Sequence, residues 1–505
     1  MSFLFYDFET TGADPRCDRP IQFAALRTND ELEPIDSPLT LYATLSPEVL
    51  PHPQAVLVTG ILPQTLASSG GRSEAEFAAL IHAEMMQPGT CAVGFNSLRF
   101  DAELLRFMFW RNLRDPYAHE WKSGNSRWDV LDAARAFRLL RPKGIHWPTD
   151  EQGAPTLRLE ALTKANGIAH ANAHDALGDV EATLAFARRM RAQSPKLFDY
   201  LLSLRKKAVV ADFVDNPERE SFVHVSGRIS SMQGSASVFA NLGQVQGINT
   251  QRLLWDLRFD PTEVLDEDIS TLAARRFLRD ADAQDNQHRL PIKLLHLNRA
   301  PVVVANAILK EGDITERMQL DLDAVKKNTR TMAQFKREVA DKLHAVLSEP
   351  PAFAARDAEC ALYEGFMPNT DRYELDDFNR VFDQSMAAGG SAEDEPVAAA
   401  LRELMAQPWQ DARLPELVFR FVARLRPDLL DEDERTQWQS WVDSRLNAAP
   451  DQPYQGFAGQ SFSGLGFAGF FATIDALMAD AAYRDEATLA LLTQLKAWGE
   501  TRIRA

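Results

Sequence analysis

Cysteine is scarce in this sequence, which has only Cys17, Cys91 and Cys360 among 505 residues. Their wide separation matches no zinc-ligand spacing, so neither a disulfide framework nor a zinc knuckle is expected, and a reducing compartment is expected. No apolar run approaches the ~18 residues that a membrane helix needs. The N-terminus has no basic region and reaches Asp7 at once, so no secretory signal is expected. These absences predict a cytoplasmic protein without a membrane anchor.

Positive charge is also in deficit, because 55 Lys and Arg against 72 Asp and Glu give a formal net charge of -17 at pH 7. Phosphate contacts need Lys and Arg, so the overall charge argues at first against nucleic-acid binding. However, residues 351–505 carry about -12 of that charge, from 14 basic and 26 acidic side chains. The net charge therefore does not exclude a local basic groove elsewhere in the chain.

The length and composition predict a globular protein of two to four domains. Residues 1–195 alternate strand and helix signals, which predicts an α/β layer fold. Strands are expected over residues 3–8, 21–28, 39–45 and 91–96. Helices are expected over residues 74–86, 101–112, 129–140 and 178–190.

Two further regions follow the α/β region. Residues 196–350 contain short strand signals between about 220 and 310, which predict a small β-barrel with a helical insertion near 268–281. Residues 351–505 are predicted to be helical, with segments over 396–406, 414–425, 432–447, 468–482 and 486–503. The segment 448–469, rich in Gly, Gln, Ser and Phe, is expected to be a loop.

Two acids interrupt the apolar run "FLFYDFETTG" at residues 3–12. Side chains alternate along a strand, so Asp7 and Glu9 share one face. Neighbouring carboxylates repel each other unless a cation lies between them, and burial of either charge adds a further cost. The pair therefore indicates either a strand end with solvated acids or a metal site.

Two more acids and a histidine complete this pattern. In "VGFNSLRFDAELL", Asp101 falls at the first turn of a helix, where the helix dipole favours an anion. In "NAHDALGDVEATLAFARR", His174 precedes Asp179 by five residues. Because five residues overshoot one helical turn, the two side chains converge only if His174 lies at or before the helix start. The stretch 172–175 contains residues that favour such a start.

Asp7-x-Glu9, a helix-opening Asp101 and His174-x4-Asp179 together resemble the DEDD exonuclease superfamily, in its histidine subclass. The segments "RPIQFAALRT", "NSRWDVLDAARAFRLLRPKGIHWP" and "LRLEALTKANGIAHANAHDALGDVEAT" are similar to the bacterial exonuclease I family, and this resemblance covers essentially the whole chain. It implies an α/β ribonuclease H-like exonuclease domain over residues 1–195. A Src-homology-3-like β-barrel over 196–350 and an α-helical C-terminal domain over 351–505 are implied as well.

The resemblance also implies an activity. A member of this family is a monomeric, processive, magnesium-dependent exonuclease that degrades single-stranded DNA from 3′ to 5′ into 5′-mononucleotides, in DNA repair and recombination. Asp7, Glu9 and Asp179 match its metal ligands, Asp101 its fourth acid and His174 its general base. The four acids would hold two magnesium ions, or manganese, about 4 Å apart. His174 would take the proton of the attacking water.

Several residues are candidates for contact with the DNA. Arg158 matches a substrate-contacting arginine of the family, and Glu9 is counted among the substrate-binding residues as well. Arg106 is a candidate for the phosphate backbone, with a solvated helix face as the alternative. The aromatic side chains near the basic segment 122–127 are candidates for base stacking, namely Tyr117, Trp121 and Trp128. For Trp128 the alternative is a place in the core.

The resemblance further implies a protein partner, the acidic and hydrophobic-ended C-terminal tail of single-stranded-DNA-binding protein. Such a tail needs a basic socket beside an apolar pocket. Arg141, Tyr200 and Lys206 lie in stretches that are candidates for supplying it.

The acidic last third is expected to act as a clamp on the DNA, with its few basic residues, such as Arg420, Arg424 and Arg426, turned toward the strand. Two other functions stay open. One is a DEDD-type RNA exonuclease, although such enzymes are usually near the size of the first domain. The other is a scaffold that binds DNA ends without cutting, which should have lost an acid or the histidine; this sequence has lost neither.

Overall fold

The computed structural model describes residues 1–170, 175–278, 288–348, 357–447 and 465–504. The chain forms two compact units. The first comprises residues 1–125, 171–181 and 353–505, and the second comprises residues 126–170 and 182–352. Both ends of the chain therefore belong to the first unit, and the middle of the chain forms the second.

A β-sheet opens the first unit, and its strands follow the buried apolar runs. They are β1 (Ser2–Thr10), β2 (Pro20–Thr28), β3 (Leu39–Tyr42) and β4 (Thr90–Gly94). In this unit the order is β3-β2-β1-β4, with β1 antiparallel to β2 and parallel to β4. The four predicted strands are confirmed, although β3 and β4 end sooner than predicted.

Three of the four helices of this region lie in the connection between the parallel strands β1 and β4, and the fourth follows β4. They are α1 (Pro53–Thr59), α2 (Pro63–Ser68), α3 (Glu74–Met85) and α4 (Asp101–Arg111). Helix α3 begins with a capping box, in which Ser73 and Glu76 each accept a hydrogen bond from the other's main-chain N–H. Apolar residues of α3 and α4 pack with those of β1 and β2 in one core, and the Phe8 and Phe23 rings lie 4.9 Å apart. This packing fixes the ends of β1 and α4.

The second unit begins with β5 (Ser126–Asp129), followed by α5 (Val130–Leu140) and α6 (Leu159–Ala165). Helix α5 starts where Asp129 accepts a hydrogen bond from the main-chain N–H of Leu131 at 2.9 Å. Helix α7 (Ala176–Gln193) starts in the first unit and continues into the second. The helices α8 (Pro195–Ser203) and α9 (Lys207–Val214) follow. The predicted helices over 129–140 and 178–190 are thereby confirmed.

The second sheet corresponds to the predicted small barrel. Its strands are β6 (Phe222–Val225), β7 (Ala236–Val245), β8 (Ile248–Asp256), β9 (Ile292–His296) and β10 (Val302–Ala305). They are antiparallel, in the order β10-β6-β7-β8-β9. The predicted helical insertion contains α10 (Ile269–Arg276), and its end at 279–281 lies outside the described residues. Helix α11 (Ile314–Arg317) and the long α12 (Leu322–Ser348) follow.

Helices make up the last part of the first unit. They are α13 (Asn369–Ala387), α14 (Glu395–Ala406), α15 (Leu414–Leu425), α16 (Glu432–Leu446), α17 (Phe467–Ala479) and α18 (Glu486–Arg504). The five predicted helices are confirmed, and α12 and α13 were not predicted. Of the expected loop 448–469, residues 448–464 lie outside the described residues and Phe467 already belongs to α17.

One hydrophobic core joins the C-terminal helices to the N-terminal part of the first unit. It contains Leu50, Val56 and Trp110 together with residues of α13 to α18, such as Phe421 and Leu495. The C-terminal helices are therefore built into the same core as α4. No helix of the described residues is both long and apolar enough to cross a membrane.

Candidate active site

Three carboxylates from two elements converge in the first unit. Asp7 and Glu9 lie on β1 and Asp179 lies in the first turn of α7. One oxygen from each lies within 4.8 Å of the others, an arrangement able to hold a metal ion. Strand alternation places Asp7 and Glu9 on one face, and Glu9 is only 8% exposed. The predicted pairing of the strand acids with Asp179 is thus present in the structure.

The fourth predicted acid, Asp101, is the first residue of α4 and is 5% exposed. The group of three converging oxygens does not include it. Nevertheless, its negative charge acts on both strand acids and raises their pKa values. Asp101 therefore belongs to the same electrostatic site.

The closely spaced carboxyl groups of this site raise one another's pKa values. Burial, followed by the charges of Asp179, Asp101 and Asp175, raises the pKa of Glu9 to about 8. Burial and the neighbouring carboxylates likewise raise the pKa of Asp7 well above its ordinary value. Such a cluster stays ionised at neutral pH only if positive charge is added. The donors are all carboxylate oxygens, which suits a hard divalent cation.

Gln22, which is not among the residues predicted from the sequence, connects β2 to the start of α7 through hydrogen bonds. Gln22 is 1% exposed and stands opposite Glu9 in the strand register. Its Nε2 donates to Asp175 Oδ1 at 2.8 Å, and its Oε1 accepts from the main-chain N–H of Ala176 at 3.3 Å. His174, the predicted base, precedes Asp175 and lies outside the described residues.

The loop after β1 is held by a small hydrogen-bond network. The main-chain N–H of Arg19 donates to Thr11 Oγ1 at 2.9 Å, and this hydroxyl donates to Asp18 Oδ1 at 3.1 Å. A Cβ at residue 12 would lie 2.5 Å from Asp18 Oδ1, so a larger residue than Gly12 would displace the Asp18 carboxylate from this network. The end of the strand that carries Glu9 is thereby fixed.

Arg19 continues into a buried ion cluster with the C-terminal part of the same unit. Its Nη2 donates to Glu359 Oε2 at 2.7 Å, and Glu359 also pairs with Arg424. Arg424 Nε donates to Glu48 Oε1 at 2.8 Å. The arginine side chains expected to face DNA are thus engaged in ion pairs within the protein. That expectation is wrong for Arg420 and Arg424, which are paired with Asp357 and Glu359.

Arg426, the third arginine expected to face DNA, donates from Nη2 to Asp428 Oδ2 at 2.7 Å. This pair is local, since the two residues are near neighbours in the chain, and Asp428 is largely exposed. Its Nη1 also donates to the Ala392 carbonyl at 2.9 Å, so both sides of the guanidinium are engaged within the protein.

Two of the residues predicted to bind DNA lie around α4. Arg106 is 5% exposed; it donates from Nε to Glu120 Oε1 at 2.7 Å and from Nη1 to Glu103 Oε1 at 2.9 Å. Its guanidinium carbon lies 5.3 Å from the centre of the half-buried Tyr117 ring. A contact between Arg106 and phosphate would have to compete with these acids, so Arg106 is the weaker candidate.

The side chains of the other three residues predicted to bind DNA, Trp121, Arg158 and Trp128, differ widely in solvent exposure. Trp121 is 66% exposed in the first unit. In the second unit, Arg158 is exposed at the N-cap of α6. Trp128 is 3% exposed there, donates from Nε1 to the Leu201 carbonyl at 3.2 Å and packs on Phe198. The position of Trp128 agrees with the core alternative.

Three family profiles cover the chain in sequence. Residues 4–187 match a family described as "Exonuclease", residues 205–349 match "Exonuclease I SH3-like domain" and residues 356–502 match "Exonuclease I C-terminal domain". The predicted order of an exonuclease domain, an SH3-like domain and a helical C-terminal domain is confirmed. The boundaries at residues 195 and 350 stay predictions.

Individual relatives agree with the profiles. Exodeoxyribonuclease I of Escherichia coli K12 is 38% identical over 458 residues, which cover 90% of this chain and 92% of that protein. Exonuclease I of Methylocaldum szegediense is 37% identical, with a TM-score of 0.86 over 99% of both chains. A zinc-bound complex of E. coli exonuclease I with single-stranded DNA has a TM-score of 0.86 at 34% identity over 99% of both chains. An ExoI/SSB-Ct complex has a TM-score of 0.84 at 34% identity, also over 99% of both chains.

The ribonuclease H-like sheet with its converging acids defines the protein as an exonuclease of the DEDD class. All three domains match in order, and the identity to curated relatives extends over most of the chain. The chain belongs to the exonuclease I family. The resemblance inferred from the sequence is therefore confirmed.

Proposed function

We propose that this chain removes 5′-mononucleotides from the 3′ end of single-stranded DNA in a reaction that requires divalent metal, in DNA repair and recombination. The convergence of Asp7, Glu9 and Asp179 oxygens within 4.8 Å carries the proposal. Support for the substrate comes from the single-stranded DNA that the E. coli relative binds. The chemistry rests on this chain's own acids.

The metal ligands proposed are Asp7, Glu9 and Asp179, with Asp101 as the fourth acid. We propose two magnesium ions, because carboxylate donors suit a hard cation that keeps waters and substrate phosphate oxygens as its other ligands. When bound, such ions supply charge stabilisation at the phosphate and a more acidic water. The zinc ion bound by the E. coli relative supports a divalent metal in this family. Mutual repulsion of the acids supports it independently.

His174 is proposed as the general base. It directly precedes Asp175, whose main-chain carbonyl accepts from the N–H of Asp179 at 3.1 Å. With an ordinary pKa near 6.5, a histidine ring nitrogen can take a proton from water near neutral pH. The loss of that proton turns the water into the nucleophile that attacks the terminal phosphodiester.

We assign DNA binding mainly to exposed side chains. Arg158 is proposed to contact the phosphate backbone, since an exposed guanidinium can donate to phosphate in a bidentate manner. Trp121 is proposed to stack on bases, because stacking needs an accessible ring face and tolerates any base. Glu9 is proposed to contact the terminal nucleotide as well as metal. A monomer suffices for these roles.

The proposed protein partner is the C-terminal tail of single-stranded-DNA-binding protein, supported by the ExoI/SSB-Ct complex of a relative. The place proposed for this tail is a cavity of about 370 Å³ in the second unit. Its lining contains the basic side chains Arg141, Lys143 and Arg317 and the apolar side chains Leu140, Pro142 and Ile314. Two acids of the lining, Glu311 and Asp313, pair with Arg141 and Arg317, so a tail carboxylate would have to replace them. Cations and an apolar floor match an acidic tail with a hydrophobic end.

Of the predicted tail-binding residues, only Arg141 lies in the lining of that cavity. Tyr200 instead donates its hydroxyl hydrogen to the Val303 carbonyl at 2.6 Å. Lys206 is exposed at the N-cap of α9. Arg141 is therefore the residue through which the partner proposal is tested.

The central test is digestion of end-labelled oligonucleotides with magnesium or EDTA. We expect a 3′-labelled single strand to release labelled mononucleotide at once and a 5′-labelled strand to shorten progressively. RNA and duplex DNA of the same sequence should be cut far more slowly. Equal or faster cutting of RNA would favour the RNA exonuclease, and binding without cutting by the magnesium-loaded protein would favour the scaffold.

A further inference from the structure

A row of three polar side chains crosses the sheet beside the catalytic acids. In the strand register Glu9 faces Gln22, and Gln22 faces Tyr42. Directly opposed residues of antiparallel strands project to the same side of a sheet. The Gln22 amide therefore lies on the face that carries Glu9, between β1 and β3.

The two ends of the Gln22 amide contact the start of α7. Nε2 donates to Asp175 Oδ1 at 2.8 Å and to the Tyr42 hydroxyl at 3.1 Å, while Oε1 accepts from the Ala176 N–H at 3.3 Å. An amide supplies both a donor and an acceptor, which neither a carboxylate nor an apolar side chain can do. Because Gln22 is 1% exposed, water cannot readily replace these bonds.

These contacts hold the turn that carries Asp179. The N–H of Asp179 donates to the Asp175 carbonyl at 3.1 Å, so the two residues are joined by the first helical hydrogen bond of α7. Gln22 thus binds the side chain of Asp175, the main chain of Ala176 and, through this turn, the segment that places Asp179. On the other side it is anchored in β2, which pairs with the strand of Asp7 and Glu9.

We propose that Gln22 is a positioning residue of the metal site, which sets the start of α7 against β1 so that Asp179 meets Asp7 and Glu9. The inference rests on the proposed function, because it assumes that these three acids hold the metal. Hydrogen-bond partners outside the ligand shell commonly change metal affinity 10- to 100-fold when removed. Gln22 acts through Asp175 and Ala176, and no direct contact with metal is assigned to it.

The test measures metal binding without DNA or turnover. Mn²⁺ serves as the probe in electron paramagnetic resonance titrations of wild type, Gln22→Met and Asp179→Asn. We expect Gln22→Met to weaken Mn²⁺ binding about 10-fold or more. It should also raise the metal concentration needed for half-maximal cleavage more than it lowers the saturated rate. Unchanged Mn²⁺ affinity in folded Gln22→Met would overturn the inference.

A structural control lies on the same strand. Arg27, at the other end of β2, is 5% exposed and donates to Ser2 Oγ at 2.9 Å and to Thr90 Oγ1 at 3.0 Å. Arg27→Met should lower the melting temperature and leave Mn²⁺ affinity within about twofold of wild type. If Arg27→Met weakens Mn²⁺ binding as much as Gln22→Met does, the effect is general destabilisation and the positioning role is wrong.

A rescue variant separates this inference from the proposed function. Gln22→Glu alone places a second carboxylate against Asp175 and should weaken Mn²⁺ binding. Adding Asp175→Asn restores a donor–acceptor pair with its direction reversed and keeps the net charge of wild type, so the double variant should recover most of the affinity. No recovery would count against the inference. If wild type and Asp179→Asn bind Mn²⁺ equally, the proposed metal site itself fails.

Discussion

Arg19 donates a hydrogen bond of 2.7 Å to Glu359, although 340 residues separate them in the sequence. Both side chains are buried, and Arg424 pairs with the same carboxylate. Arg19 also fixes Thr11 at the end of the strand that carries Glu9. The C-terminal part of the first unit therefore supports the loop beside the acids that we propose hold the metal, in addition to any contact with DNA.

Glu359→Gln tests this connection. Burial alone would raise the pKa of Glu359, but Arg424, Arg19 and Arg420 hold it well below the ordinary value. Since the folded-state pKa is depressed, the stabilisation is complete above the unfolded value of about 4.3 and is lost as pH falls through the folded value. We expect Glu359→Gln to lower the free energy of unfolding at pH 7 by about 3–5 kcal/mol, because arginines stay buried without their partner.

The measurement is urea unfolding between pH 7 and pH 3. Below about pH 4.3 the difference between wild type and Glu359→Gln should shrink, since the unfolded wild-type chain then takes up a proton that the folded carboxylate does not. Asp428→Asn is the matched control, because Asp428 is largely exposed in its pair with Arg426 and should contribute less than about 1 kcal/mol. A difference that does not depend on pH would contradict the role of the Glu359 charge.

The carboxylate cluster predicts opposite effects on stability and on catalysis. Burial and the neighbouring carboxylates raise the pKa of Asp7, so this acid lowers the stability of the metal-free folded state at pH 7. Asn has no proton to lose, so the metal-free Asp7→Asn variant should melt at a higher temperature than wild type. Added magnesium should raise the melting temperature of wild type and have little effect on the variant, because a ligand stabilises only the state that binds it. Cleavage should fall far more than tenfold. Turnover within tenfold of wild type would remove Asp7 from the site.

Much of this site could be predicted from sequence because local periodicity determines it. Strand alternation places Asp7 beside Glu9, and a helix start places Asp101 and Asp179. The role of Gln22 depends on strand register, which a single sequence does not reveal. The partners of Arg420 and Arg424 were missed for a related reason, since Glu48, Asp357 and Glu359 are distant in sequence.

Helix α12 was not predicted, although its apolar residues have a helical spacing in the sequence. Its buried apolar residues Val325, Met332, Val339, Leu343 and Val346 recur at intervals typical of one helix face. The shared core of the first unit could not be predicted from the sequence, because it joins α1 and α4 to helices beyond residue 357. Deletion of residues 351–505 would expose that core, so it cannot serve as a test of a DNA clamp.

His174→Ala should lower the cleavage rate about 10²- to 10⁴-fold, the usual contribution of a general base, while single-stranded DNA still binds. The acidic limb of the pH–rate profile should disappear in the variant. His170→Ala is the control, because His170 contacts Thr163 at 3.2 Å in the second unit and should affect stability rather than rate. An unchanged acidic limb in His174→Ala would count against the base.

Arg141→Ala should weaken binding of a peptide with the acidic, hydrophobic-ended tail sequence, measured by fluorescence anisotropy at low salt. Arg141 is 51% exposed at the cavity, where its pair with Glu311 at 3.2 Å is open to solvent and can exchange for a carboxylate of the tail. Lys206→Ala is the control, since Lys206 is absent from the lining. Equal affinity of wild type and Arg141→Ala would remove Arg141 from the partner site.

Trp121 offers the sharpest test of strand binding. Its ring is 66% exposed between two short 3-10 turns, Ala118–Glu120 and Lys122–Gly124, so most of this large apolar side chain lies outside the core. Exposure of this kind costs little stability and leaves the ring face accessible to a base. Trp121→Ala should therefore keep the melting temperature of wild type and weaken single-stranded DNA binding by about 1–3 kcal/mol.

Trp128→Phe is the matched control for this prediction. Trp128 is 3% exposed and its Nε1 donates to the Leu201 carbonyl, so the substitution should lower stability and leave DNA affinity unchanged. Binding is measured with metal-free protein and uniform thymidine and adenosine oligomers, because stacking tolerates any base while hydrogen-bond readout does not. If Trp121→Ala binds both oligomers as tightly as wild type, Trp121 has no part in holding the strand. Loss on one oligomer alone would replace stacking with base-specific contact.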